Sequence, residues 1–145
     1  MEEECEYAPS MIKVIAKEPN REPEIKEIPN DYRCLAEFCK GLIDMGVLPN
    51  DDRVNYIVND SSLVNGMEPN IVLPEYEGVI AGPVLFAGLD PESGNTISLT
   101  DQQVGRILKY IEKNQVINMS MGMAYRYAKA AGSILENGKD FEMEV

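Results

Sequence analysis

Apolar and polar residues alternate from Met11 to Lys17 through Ile12, Val14 and Ala16. After the turn formers Pro19, Asn20 and Arg21, the alternation resumes from Glu24 to Ile28. A period of two is that of a strand with one face in a core, so these segments predict a β-hairpin. Asn30 or Asp31 then offers an N-cap. Leu35, Phe38, Cys39 and Leu42 recur at helical spacing until Gly46 and Pro49, which predicts a first helix over about 32–45. Val54, Tyr56 and Val58 alternate as a third strand, followed by the loop formers Asn59 to Ser62 and Asn65-Gly66. The stretch 67–74 reads as irregular, with a short extended piece at Ile71 to Leu73. The almost continuous apolar run 78–89 reads as one long strand, bent at Pro83.

Asp90 to Gly94 makes a turn, and the clearest local signal of the chain follows. Thr100 and Gln103 are spaced as a capping box and Leu99 and Val104 as its hydrophobic staple, so a helix starts here with Val104, Ile107, Leu108 and Ile111 facing inward. A last helical pattern runs over about 118–136 and is expected to stop at Asn137-Gly138. Ser120, Ala124, Ala128 and Gly132, each four apart on that helix, let another helix approach closely. Internal packing and a homo-oligomer seam are both open, and Met119, Met123 and Tyr127 add an adaptable apolar surface.

Together the elements predict an α+β fold: a small antiparallel or mixed sheet packed by two helices, plus a C-terminal helix. The expected organisation is an acidic flexible tail over 1–10, an α+β domain over 11–114, the C-terminal helix over 115–137 and a tail over 138–145. At 145 residues the chain suits one domain. No apolar run reaches the roughly 18 residues that span a bilayer, and the amino terminus is acidic, so a soluble, cytoplasmic protein is expected. Cys5, Cys34 and Cys39 form no disulfide framework and are expected to stay reduced.

Charge changes this picture more than composition does. The net charge is −12, against the sign needed to track phosphates, so direct nucleic-acid binding is not expected. Most of the excess lies between residues 41 and 101, where ten acids face the single base Arg53. Asp44, Asp51, Asp52, Asp60, Glu68, Glu75, Glu77, Asp90 and Glu92 are therefore the candidate acidic face for a basic protein partner.

The chain has no histidine, which removes Ser/His/Asp and Cys/His nucleophile systems and most catalytic zinc sites. No phosphate-cradling glycine motif occurs, and Asp90, Glu92 and Gly94 miss the calcium-loop spacing. Asp51 with Asp52, or Glu75 with Glu77, leaves carboxylate or magnesium chemistry open in principle. The expectation is a non-enzymatic binding protein with no catalytic residues, cofactor or metal. A second candidate is a small-ligand pocket built from Tyr56, Asn59, Asn65, Asn70, Tyr76, Arg53 and Arg106, which offer amide and phenol hydrogen bonds, stacking faces and some positive charge.

Residues 11 to about 110 resemble the DUF3846 family of bacterial and phage proteins of unknown function. The resemblance is carried by Met11-Ile12-Lys13-Val14, the strand Glu24 to Ile28, and Asn65-Gly66 with Pro69-Asn70. It continues in the Gly78 to Gly88 run and in Ile97 to Gln103 leading into a helix. Ile71 after Pro69-Asn70 and the Met-rich last helix depart from the family pattern. The resemblance implies a home on phages and other mobile elements and supplies no activity. In that context the expected role is an anti-defence inhibitor, a DNA mimic whose negative face meets the basic groove of a host protein such as a nuclease. The alternatives are an oligomeric sponge for a nucleotide-type immune signal and an accessory or structural protein.

Overall fold

The computed structural model describes residues 10–144, with side chains to residue 135. The expected acidic tail lies almost wholly outside the described residues, and so does Cys5. The elements in chain order are β1 (Met11–Lys17), β2 (Glu24–Pro29), α1 (Tyr32–Cys39), β3 (Ile43–Leu48) and β4 (Asp51–Asn59). They are followed by β5 (Pro69–Leu73), a 3-10 turn (Pro74–Tyr76), β6 (Gly78–Ala81), β7 (Val84–Leu89), β8 (Thr96–Ile97), α2 (Asp101–Asn114) and α3 (Met121–Glu144).

The main sheet has the order β2-β1-β7-β4-β3, with β8 added to β7, and β5 and β6 form a separate two-stranded sheet. Every pairing is antiparallel, which gives the expected α+β fold. Alternation sorts the side chains onto two faces. Ile12, Val14, Ala16, Ile57, Leu85 and Ala87 meet Leu35 and Cys39 of α1. Ile15, Val54, Val84 and Phe86 meet Ile71, Leu73 and Ile80 of the small sheet and Val104, Ile107 and Ile111 of α2. On its outer side the small sheet carries α3, with Val72 and Val116 against Ala124 and Ala128.

Three expectations about elements need correction. The first helix ends at Cys39, because Lys40 turns left-handed (φ 68°) with its N–H on the Ala36 and Glu37 carbonyls. Residues 43–48 then form an edge strand in register with β4, and Leu42, expected on the helix stripe, is exposed. The apolar run 78–89 is two strands in different sheets. Gly82 breaks it at φ 80°, with Pro83 beside it. Finally, α3 continues through Asn137-Gly138 to Glu144, where a C-cap and a tail were expected. The capping box forms as its spacing predicts, with Gln103 N–H on Thr100 Oγ1 at 3.1 Å and Thr100 N–H on Gln103 Oε1 at 2.9 Å.

The small-residue face of α3 is used inside the chain. Ala124 and Ala128 are fully buried, and a Cβ at Gly132 would stand 2.7 Å from the Pro74 carbonyl oxygen. Of the expected seam Ser120, Ala124, Ala128 and Gly132, only Ser120 is exposed, and the close approach that the α3 face allows is to the 3-10 turn and β5.

Candidate functional site: a carboxylate and tyrosine cleft at one end of the sheet

The β3–β4 turn, the 3-10 turn, the side of α2 and the middle of α3 meet at one end of the main sheet. Asn50 makes the tight turn possible by adopting φ 70°, a conformation that asparagine tolerates better than most residues. Around it open three adjoining cavities of about 350, 460 and 330 Å³, all of them lined by Asn50.

Glu75 is the centre of the cleft. Its Oε1 accepts from the Tyr110 hydroxyl at 2.7 Å and its Oε2 from Asn50 Nδ2 at 3.1 Å. Burial, and then the Glu75 carboxylate beside it, push the Tyr110 phenol far above its ordinary range, so it acts only as a donor. Tyr76 is half exposed, and its hydroxyl donates to the Val47 carbonyl at 3.0 Å. That bond fixes the ring as a wall shared by two of the cavities. Arg106 on α2 reaches across to Asp51, Nη2 to Oδ2 at 3.0 Å. Tyr56 lies over Gly46, where any Cβ would overlap the ring. Its phenol is raised chiefly by burial and then by Tyr76 and Asp44.

The nine acids expected to make one face are divided by the strand register. Asp51 and Asp52 open β4, while Asp60 follows its last residue, roughly 30 Å away along a nine-residue strand. Asp44 pairs with Val58 and Glu68 meets Gly82, so these two lie toward the Asp60 end. Glu75, Glu77, Asp90 and Glu92 gather at the Asp51 end, where Arg53 acts on Asp90. Asp90 is also occupied by its own turn: the Glu92 N–H, then the Ser93 hydroxyl, hold its carboxyl below the usual range.

The expected small-ligand pocket is likewise dispersed. Tyr56, Tyr76 and Arg106 are at the cleft. Asn59 instead ties down the end of α1, its Nδ2 donating to the Cys39 carbonyl at 2.9 Å and the Lys40 carbonyl at 3.2 Å. Asn65 lines a separate depression beside Gly66 and Glu68, and Arg53 is exposed on β4.

Asn70 is fully buried with Lys17 at the junction of the two sheets. Lys17 Nζ donates to Asn70 Oδ1 at 2.8 Å and to the Glu18 carbonyl at 2.9 Å. Asn70 Nδ2 donates to the Lys17 and Gly82 carbonyls, both at 2.9 Å. Burial lowers the Lys17 pKa, only partly offset by Glu22.

Asn50, Tyr110 and Lys17 were not singled out by sequence reasoning. Lys17 falls on the same side of β1 as Ile15, opposite the Ile12, Val14 and Ala16 face that the alternation turns inward, and it is buried because the small sheet covers that second face as well. Nothing local announced that Asn50 and Tyr110, sixty residues apart, share one carboxylate.

A protein-family model, "Domain of unknown function (DUF3846)", matches residues 12–113. The chain belongs to the DUF3846 family. No curated protein and no solved structure matches it. Set on the DUF3846 match, the Pro69-Asn70 pair starts β5 and supplies the buried amide that joins β1 to the β6–β7 corner. The motif is accounted for by structure. The matched segment supplies Asn50, Glu75, Tyr76, Arg106 and Tyr110, while Gly132 and Leu135 of the cleft come from α3, beyond it. No helix among the described residues is long and apolar enough to cross a membrane.

Proposed function

We propose that this protein is a non-enzymatic binding protein whose cleft end docks on a basic protein surface. In the mobile-element setting that the family resemblance implies, the partner is a host defence protein such as a nuclease. One observation carries the reading. Asp51, Asp52, Glu75 and Glu77 surround the exposed, anchored ring of Tyr76, while Arg106, which lines the cavity with Asp51 and Asp52, is already paired with Asp51. Fixed carboxylates beside an exposed tyrosine supply both steering and a contact anchor. A nucleotide-type anion finds less here: the first cavity holds Glu75 and Glu77, Arg106 in the second is paired with Asp51 beside Asp52, and Lys113 shares the third with Glu75.

The test compares the wild-type chain with the variant carrying Asp51→Asn, Asp52→Asn, Glu75→Gln and Glu77→Gln as baits in bacterial lysate, at low and at raised salt. The expected result is a basic protein captured by wild type, released as salt shortens the screening length, and absent with the variant. Capture indifferent to both salt and the four substitutions overturns the reading.

A further inference from the structure

We propose that the trough between the 3-10 turn and α3 is the receptor for one arginine side chain of that partner, an inference that rests on the proposed function and gives it an anchor point. The trough is a cavity of about 350 Å³ with two carboxylates, Glu75 and Glu77, the Tyr76 ring, and an apolar floor of Pro74 and Leu135. Among the described residues no basic side chain lines it. Each part answers to one part of an arginine. The floor suits the aliphatic stem, and the carboxylates suit the donors of the guanidinium. The Tyr76 ring offers a face on which a planar cation stacks better than a compact ammonium does.

The receptor is also held in shape before anything binds. Glu75 is oriented by two neutral donors, Tyr110 and Asn50, which leave its charge unneutralised. Tyr76 is pinned through its hydroxyl to Val47. Gly132 sets the width, because a Cβ there would stand 2.9 Å from Glu77 Cγ and 2.7 Å from the Pro74 oxygen. Prior orientation of this kind reduces what binding must order.

The experiment titrates Nα-acetyl-arginine amide into the full-length ¹⁵N-labelled protein and follows the amide spectrum, with the neutral Nα-acetyl-norleucine amide as control. The expected result is a saturable shift of the Tyr76, Glu77 and Gly132 amides with the arginine probe and none with norleucine. Binding should be roughly tenfold weaker in Glu77→Gln, a surface change that leaves the rest of the spectrum in place. Absent shifts overturn the proposal, and so do unsaturated shifts spread over Asp52, Asp90 and Glu92. Either result together with salt-sensitive capture of a basic protein sinks the trough alone. Saturation of the trough without such capture sinks the docking reading instead.

Discussion

Replacing Asn70 by alanine should be among the most damaging single substitutions in the chain. The side chain makes three hydrogen bonds in a fully buried place: one from the Lys17 ammonium and two to backbone carbonyls. A bond to a charged group contributes about 1.5–3 kcal/mol and each neutral bond about 1 kcal/mol, so Asn70→Ala should cost about 3–5 kcal/mol. That is a large share of the roughly 5–15 kcal/mol that holds an ordinary domain together. In equilibrium urea unfolding followed by far-UV circular dichroism, the midpoint should fall with little change of slope. Lys17→Met separates the causes. It removes the ammonium and its desolvation while keeping the stem, so Asn70→Ala should cost about 1.5–3 kcal/mol less in that background. The sign with pH follows from the lowered Lys17 pKa. The unfolded chain holds the proton to higher pH than the folded one, so stability should rise between the folded value and the ordinary 10.5, and Lys17→Met should abolish that rise. An Asn70→Ala cost below about 1 kcal/mol, or an equal cost in both backgrounds, would refute the account.

Thr100→Ala removes the hydroxyl that accepts from the Gln103 N–H at the start of α2 and should lower stability by about 1 kcal/mol in the same urea assay. Cys39 is fully buried and its thiol is pushed up to about 12 by burial, so a disulfide reagent at neutral pH should label it only as the chain unfolds, well after the half-buried Cys34. Leu42 accepts from the Asp60 N–H, so by alternation the odd residues of β3 point their backbone groups away from β4. Two of those outward groups are capped by side chains: the Met45 N–H by Asp44 Oδ1 at 2.9 Å and the Val47 carbonyl by the Tyr76 hydroxyl. Removing both caps with Asp44→Ala and Tyr76→Phe should promote edge-to-edge association, read as concentration-dependent mass in analytical ultracentrifugation; a strictly monomeric variant would count against the capping role.

What was legible in the chain was whatever a single segment decides for itself. The β1–β2 hairpin, the Asp31 cap and the Thr100–Gln103 box depend on residues a few positions apart. Residues 43–48 failed that test. Ile43, Val47 and Leu48 carry no alternation strong enough to overrule the helical spacing upstream, and the segment becomes a strand because β4 is there to pair with it. The 78–89 run was correctly read as extended, but its division between two sheets is set by Gly82 at positive φ and by partners on either side of it. The acids were legible as a count and not as a surface. Register carried Asp60, Asp44 and Glu68 away from Asp51, and the tyrosines that give the remaining acids their shape come from elements up to sixty residues apart.

The family match ends at residue 113, and α3 begins at Met121. Within the matched segment Val72 and Val79 face outward from the small sheet, and α3 covers them with Ala124 and Ala128. The same packing brings Gly132 against the Pro74 carbonyl and closes one side of the trough. Glu75, Tyr76 and Asn50 lie in the matched segment, so without α3 this chain would carry the fixed carboxylate and the pinned ring on an open surface. The helix turns that surface into a walled trough. On the proposed docking reading, partner choice should therefore map to α3 and its contact with the 3-10 turn, while the carboxylates of the matched segment supply the steering.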